Sequence, residues 1–424
     1  MTFPRSHRAN LMPKQRRSAI ALAFSISVAG ASPGVPAFAA APPAPAAPAA
    51  GHVLESPPPK IPLCAGLTIV TAIQQREGDY ESIKRVQSVT RDGVRIKYSS
   101  EAWVKDEDSD DPGKLVRTTV FRTVRTEDLV KAKLYEQEFS DRLPEIIPGT
   151  TAIGTSTAIL NALKFKGTAE TGIFITFTGE PTLEEGSIFN IFNNKMEAPV
   201  TRVEPHPAML PVIVNGVPTR LPTIHASGEF QGDNTEFYFL DDPANPITIR
   251  FRYGIDALTH VDESGHIAKG DANGKADRAV LQVIKITARC ENSESPNRPA
   301  GPSVIEESLA RTGKAEVYDI YFSFNSATIR EESEPSLKEI AGVMTRHSDW
   351  KLDVSGHTDS LGRAAYNLDL SKKRAAAVQA ALVSRYHVDA HRLAADGYGA
   401  SQPQDTNATL EGRARNRRVE LIRQ

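Results

Sequence analysis

Cysteine is nearly missing from this sequence: its 424 residues include two, Cys64 and Cys290. That number rules out a thiolate metal cluster and a dense disulfide scaffold. Past the N-terminus there is no apolar run of about 20 residues, so no membrane-spanning helix is expected. An excess of basic residues is also missing. The formal net charge is −2, and residues 1–39 contribute five Lys/Arg and no Asp/Glu, so the remainder holds 45 basic against 52 acidic residues. Such a chain has no general field to draw in nucleic acid, and no nucleic-acid partner is expected. The sequence has no Walker loop, GxSxG elbow, dinucleotide-binding glycine fingerprint or HExxH pair. Its histidines are scattered, so the reading is of a non-enzyme with no metal site and no cofactor.

What is present falls into five segments. Residues 1–39 read as a signal peptide: Arg5, Arg8, Lys14, Arg16 and Arg17 form a basic region, and Ala19–Gly30 is a short apolar core. Ala37-Phe38-Ala39 follows as a small-residue cleavage site, with Met12 an alternative start. Residues 40–60 are an Ala/Pro-rich linker, extended because proline fixes φ and removes donors. Residues 61–290 are a β-rich domain, residues 291–303 a second Pro-rich linker, and residues 304–424 a C-terminal domain. Both linkers read as flexible, which leaves the relative orientation of the two domains open. In an exported chain the even pair Cys64 and Cys290 predicts a disulfide tying the first and last strands of the middle domain. Closing so long a loop stabilises by about 4–5 kcal/mol on the chain-entropy argument. Two unpaired buried thiols are the alternative.

In the middle domain, VRIKYSS, LVRTTVFRTV, TGIFITFTG, EFYFLDD, ITIRFRYG and AVLQVIKITARC are β-branched or aromatic runs bounded by Gly, Pro, Asn and Asp. Residues 157–164 read as a short helix. Charges on both strand parities, Arg250 and Arg252 against Lys285 and Arg289, favour a periplasmic β-sheet domain over an outer-membrane barrel. Asp271, Asn273, Gly274 and Asp277 read as a polar hairpin turn rather than a calcium loop. No activity is legible in this domain.

The C-terminal domain is α+β: a βαβα-type sandwich with helices on a small mixed sheet. Strands are expected over 317–324, 351–356, 392–398 and 418–422, and helices over 331–344 and 364–386. Asn367, Leu370, Arg374, Val378 and Leu382 are spaced by three and four and share one helix face. Arg374 therefore lies on a stripe that should be buried, where a guanidinium needs an anionic partner. Asp359, in GHTDSLG, is the natural candidate. An internal Asp–Arg bridge and a ligand-binding pair both satisfy that requirement.

FSFNSA (322–327), GHTDSLG (356–362), YNLDLSKKRA (366–375), RLAADGYG (392–399) and NRRVE (416–420) occur in order. With them the segment 303–424 resembles the OmpA-like peptidoglycan-binding family. The resemblance implies that Asp359 and Arg374 bind the meso-diaminopimelate of the stem peptide, that Asn367 and Arg417 complete the pocket, and that Asn325, Thr358 and Leu370 line it. It implies a peptidoglycan-associated protein of the periplasm and cell envelope, with the outer membrane or other envelope proteins as further partners. A wall-tethered outer-membrane barrel and the targeting module of a wall-remodelling factor are the alternatives. Gly356, Gly362, Gly397 and Gly399 are expected at turns with positive φ. His357 is expected to pack beside the strand end, and Lys372, Lys373, Arg413, Arg415 and Arg418 to be solvated.

Overall fold

In the computed structural model, the described residues are 58–424 apart from 75–79, 105–113, 138, 140, 142, 175–194, 259, 262–266, 269–278, 289 and 291–302. The signal segment, most of the Ala/Pro linker, the 271–277 turn and the second linker up to 302 lie outside them.

The first part of the chain builds a 13-stranded sheet. Its strands are β1 (Leu67–Gln74), β2 (Tyr80–Val89), β3 (Gly93–Val104), β4 (Lys114–Arg125), β5 (Leu134–Glu136), β6 (Thr150–Thr151), β7 (Thr168–Phe174), β8 (Lys195–Arg202), β9 (Ala208–Val214), β10 (Val217–Phe230), β11 (Asp233–Leu240), β12 (Thr248–Tyr253) and, after the short pair β13 (His260–Val261) and β14 (Ile267–Ala268), β15 (Ala279–Ala288). The order runs β4-β3-β2-β1-β15-β12-β11-β10-β8-β7-β5-β6. Strand β9 pairs with both β10 and β15, so β15, β12, β11, β10 and β9 close into a ring. Two hairpins make the ring tight. Asn215-Gly216 and Gln231-Gly232 both carry positive φ at the two central residues, the twist that suits right-handed strands.

The ring strands are buried on both faces. Tyr238 and Leu240 of β11 join one apolar core with Ile69, Val212, Ile249 and Val283, whereas Phe237 and Phe239 face a second core. That second core is covered by Ile159, Leu160 and Leu163 of helix α2 (Thr157–Lys166), which follows the one-turn α1 (Thr126–Lys131). Ser156 caps α2 through its hydroxyl, and Gly167 ends it in the left-handed conformation. Cys64 and Cys290 form a disulfide with 5.4 Å between their Cα atoms, just outside the β1–β15 pair.

The C-terminal region alternates helix and strand: α3 (Val304–Thr312), β16 (Lys314–Val317), α4 (Glu334–Arg346), β17 (Leu352–His357), α5 (Ala364–Tyr386), β18 (Leu393–Gly399), α6 (Leu410–Asn416) and β19 (Val419–Arg423). Its sheet is mixed, ordered β16-β19-β17-β18, with β17 and β18 parallel and the other pairs antiparallel. Leu337, Ile340, Val354, Val378, Leu382 and Leu421 fill the core between sheet and helices.

Two expectations need correction here. The strand placed at 317–324 is instead β16, ending at Val317, followed by a seam with one isolated bridge, Phe322 to Ile329. Its polar groups are taken up from outside the sheet: Tyr321 N–H donates to Ser333 Oγ at 2.8 Å, and the Tyr318 carbonyl accepts from Lys285 Nζ at 3.0 Å. Gly362 and Gly399 do have positive φ, but Gly356 and Gly397 do not. These two admit a close approach instead. A Cβ on either would lie 2.2 Å from the backbone of Ser371 or Lys372, so their bareness lets α5 settle onto β17 and β18. The relative placement that the sequence left open is set by packing of the C-terminal region against the large sheet. Val70, Ala72, Ile83, Val280 and Ile284 of the sheet share an apolar cluster with Tyr321, Leu410 and Ala414.

Candidate functional site

The site lies where the β17–α5 loop, the first turns of α5, the 322–330 seam and the end of α6 converge. Asp359 leaves β17 two residues after the strand and is buried. Its loop is held by Thr358 N–H donating to the Gly399 carbonyl at 3.0 Å and by the Thr358 hydroxyl donating to the Asp359 carbonyl at 2.9 Å. Asn367 braces the same loop, its amide donating to the carbonyls of Asp359 at 3.2 Å and Leu361 at 2.9 Å. Leu370 is buried on the same face of α5, one turn after Asn367. Asn325, at φ 53°, accepts the Tyr366 hydroxyl at 2.5 Å and so pins the 322–330 seam to α5.

The charges are distributed in an unexpected way. Asp359 does not bridge to Arg374. Its Oδ2 accepts from Arg417 Nη1 at 2.6 Å, and its Oδ1 accepts from Leu361 N–H at 3.0 Å. The rest of the Arg417 guanidinium reaches across to the large sheet, where Nε and Nη2 donate to Glu81 Oε1 of β2 at 3.1 and 2.6 Å. Arg374 stands beside this chain of charges. Its Nε donates to the Ser326 carbonyl at 3.0 Å and its guanidinium lies 4.9 Å over the Phe322 ring. Among the described residues no carboxylate comes within ion-pair distance of it. Burial, then the neighbouring Arg417 charge, pushes the Arg374 pKa down to about 10, against the opposing pull of Glu81 and Asp359. Burial likewise opposes ionisation of Glu81, yet Lys285, Arg417 and Arg330 outweigh it and hold that carboxyl at about 2. The site thus has one satisfied carboxylate, one shared guanidinium and one guanidinium without an ion-pair partner among the described residues.

Of the sequence-derived candidates, Asp359 and Arg417 touch. Thr358 and Asn367 shape the Asp359 loop, Leu370 is buried on the Asn367 face of α5, and Asn325 and Arg374 each tie the seam to α5, through Tyr366 and Ser326 respectively. Glu81 and Lys285 were missed. Both come from strands of the large sheet, Glu81 lying 278 positions and Lys285 74 positions before Asp359, and neither stands in a motif that could have signalled it. Arg413 and Arg418, expected in solvent, are buried. Arg413 donates to the Asn407 carbonyl at 3.0 Å, and Arg418 lies 3.4 Å from Glu420 and 3.9 Å from Glu316.

A family model described as the OmpA family matches residues 321–417. Residues 321–417 are an OmpA family domain. Outer membrane porin F of Pseudomonas aeruginosa is 40% identical over 135 residues, which is 31% of this chain and 38% of that protein. Outer membrane protein A of Bordetella avium is 42% identical over 104 residues, 24% of this chain and 53% of that protein. The chain therefore spans less than two thirds of the length of either relative. Among solved structures, the peptidoglycan-associated lipoprotein of Burkholderia pseudomallei is 31% identical, with 25% of this chain and 88% of that chain covered and a TM-score of 0.23.

His357, beside Asp359 in the OmpA family domain, is buried and stacks on Tyr398 with ring centroids 5.4 Å apart. Neither ring nitrogen has a hydrogen-bond partner among the described residues. Burial, then the Arg418 charge, pushes its pKa down to about 4. A histidine whose folded pKa is depressed gives stability that is complete above its unfolded value and drains away as pH falls toward the folded one. The window here runs from about 6.5 to about 4. His225, whose pKa is raised against burial by Glu204 and Glu236, works in the opposite sense. The comparison of His357→Gln with the parent chain cancels that contribution. The variant is expected to lose roughly 2 kcal/mol less stability between pH 7 and pH 4 in urea titrations. Parallel pH profiles for the two proteins would exclude His357 as the source.

Proposed function

We propose that the OmpA family domain holds this chain non-covalently to peptidoglycan by clasping the meso-diaminopimelate of an uncrosslinked stem peptide. The observation that carries this reading is Arg374, a half-buried cation set near Asp359 with no carboxylate paired to it among the described residues. An isolated charge in such surroundings is costly unless an anion arrives to complete it. The free end of diaminopimelate carries an ammonium and a carboxylate on one carbon. A planar guanidinium donates two parallel hydrogen bonds to a carboxylate, and Asp359 retains lone pairs beyond its Arg417 and Leu361 contacts for the ammonium. Two opposite charges at a fixed separation select a zwitterion, which neither group would do alone. On this reading residues 1–39 direct export, and the chain is a binding and anchoring protein of the envelope, the large sheet being its cargo or its partner surface.

The test is retention on isolated cell-wall sacculi. The full chain is expected to sediment with sacculi whose stems contain meso-diaminopimelate and at least tenfold less with sacculi whose stems carry lysine, which has no second carboxylate. Asp359→Ala is expected to abolish sedimentation while leaving the circular dichroism spectrum unchanged. Equal retention of folded Asp359→Ala and the parent chain would falsify the assignment.

A further inference from the structure

The feature the wall-binding reading leaves unused is Glu81. It belongs to β2 of the large sheet, 336 positions before its partner Arg417, and it places a carboxylate on the guanidinium that also holds Asp359. The Glu81 charge is within electrostatic reach of Arg374 as well. A carboxylate among the same arginines that would receive the ligand's carboxylate has the chemistry of the ligand. It arrives there through a docked surface rather than a chance contact. Beyond the shared apolar cluster, Glu101 accepts from Phe324 N–H at 2.8 Å and Thr287 Oγ1 donates to Asp319 at 3.0 Å. Ser99 Oγ donates to Glu332 at 2.6 Å, and Lys97 pairs with Glu331.

We propose that Glu81 is a built-in competitor for the stem-peptide carboxylate, so that docking of the large sheet weakens wall binding and release of that sheet strengthens it. The proposal rests on the function proposed above. The physical ground is that Arg417 cannot serve Glu81 and lean fully toward an incoming ligand, and that a fixed negative charge next to the Arg374 fork repels a second one. The competition is set by geometry and not by ordinary pH changes, because the Glu81 carboxyl, held at about 2, stays ionised throughout the neutral range. Binding would instead respond to anything that draws the sheet away, such as an envelope partner that takes its exposed strands.

The experiment titrates the full chain with a purified muropeptide whose tripeptide stem ends in meso-diaminopimelate. Four forms are compared: the parent chain, Glu81→Gln, Lys97→Ala/Ser99→Ala, and Arg374→Ala. Glu81→Gln keeps the shape and removes the charge, and is expected to bind about tenfold more tightly than the parent. Lys97→Ala/Ser99→Ala loosens docking away from the pocket and is expected to bind about threefold more tightly, which keeps the proposal testable if Glu81→Gln folds poorly. Parent binding that is lost in Arg374→Ala, together with unchanged or weaker binding by both sheet variants, overturns the competitor and leaves the wall-binding reading standing. Absence of binding by every form overturns both.

Discussion

Arg374→Met is expected to lower affinity for sacculi by at least about a hundredfold while leaving the protein no easier to unfold. The first figure follows from removing a bidentate, charge-assisted contact, each of whose two hydrogen bonds contributes about 1.5–3 kcal/mol. The second follows from the structure. Arg374 has a single hydrogen bond, from Nε to the Ser326 carbonyl, and no ion pair among the described residues, and its depressed pKa reports a cation held against its own desolvation. A methionine of similar length would keep the contact with Phe322, give up that one bond, worth about 1 kcal/mol, and end the cost of the stranded charge. Urea midpoints within about 1 kcal/mol of the parent are expected. Arg374→Lys would keep the charge and lose the planar fork, so it should recover only part of the affinity. A destabilisation above about 3 kcal/mol in Arg374→Met would mean that the guanidinium serves the fold, and the ligand role would then have no basis.

How much of this was legible in the sequence depends on the range of the interaction. Helix α5 runs over the residues that periodicity assigns to it, and Asn367, Leu370, Val378 and Leu382 are buried along the face their spacing defines. Local spacing is enough for that, because a helix face is set by its own backbone. It is also enough to mark Arg374 as out of place. It cannot say which cation from another element will reach Asp359 first, and the answer is Arg417 from the end of α6. Nor can it say that a strand hundreds of positions earlier supplies Glu81. The 317–324 segment failed for a related reason: an alternating apolar run looks the same whether it pairs in a ladder or docks on a neighbour, and Lys285 and Ser333 take its backbone groups here. The Asn215-Gly216 hairpin, which shapes the ring of the large sheet, carries a local two-residue turn signal that the strand runs alone did not reveal.

Removal of the Cys64–Cys290 bridge is expected to cost about 5 kcal/mol of stability on the loop-closure argument. The two cysteines are separated by 226 positions, so the cross-link takes a large share of entropy from the unfolded chain. It also sits at a mechanical seam. Strands β1 and β15 pair from Leu67–Ala288 to Gln74–Val280, and β15 is the strand from which Lys285 and Thr287 reach into the C-terminal region. Opening β1 from β15 would therefore loosen β2, which pairs with β1 and carries Glu81 opposite Ala72. The double variant Cys64→Ser/Cys290→Ser should show a lower urea midpoint under oxidising conditions, and the parent chain should fall to the same value with reductant. Because neither cysteine belongs to the OmpA family domain, sacculus retention at temperatures where the variant is folded should equal or exceed that of the parent. A loss below about 1 kcal/mol would show that the β1–β15 ladder already holds the ends together without the bridge.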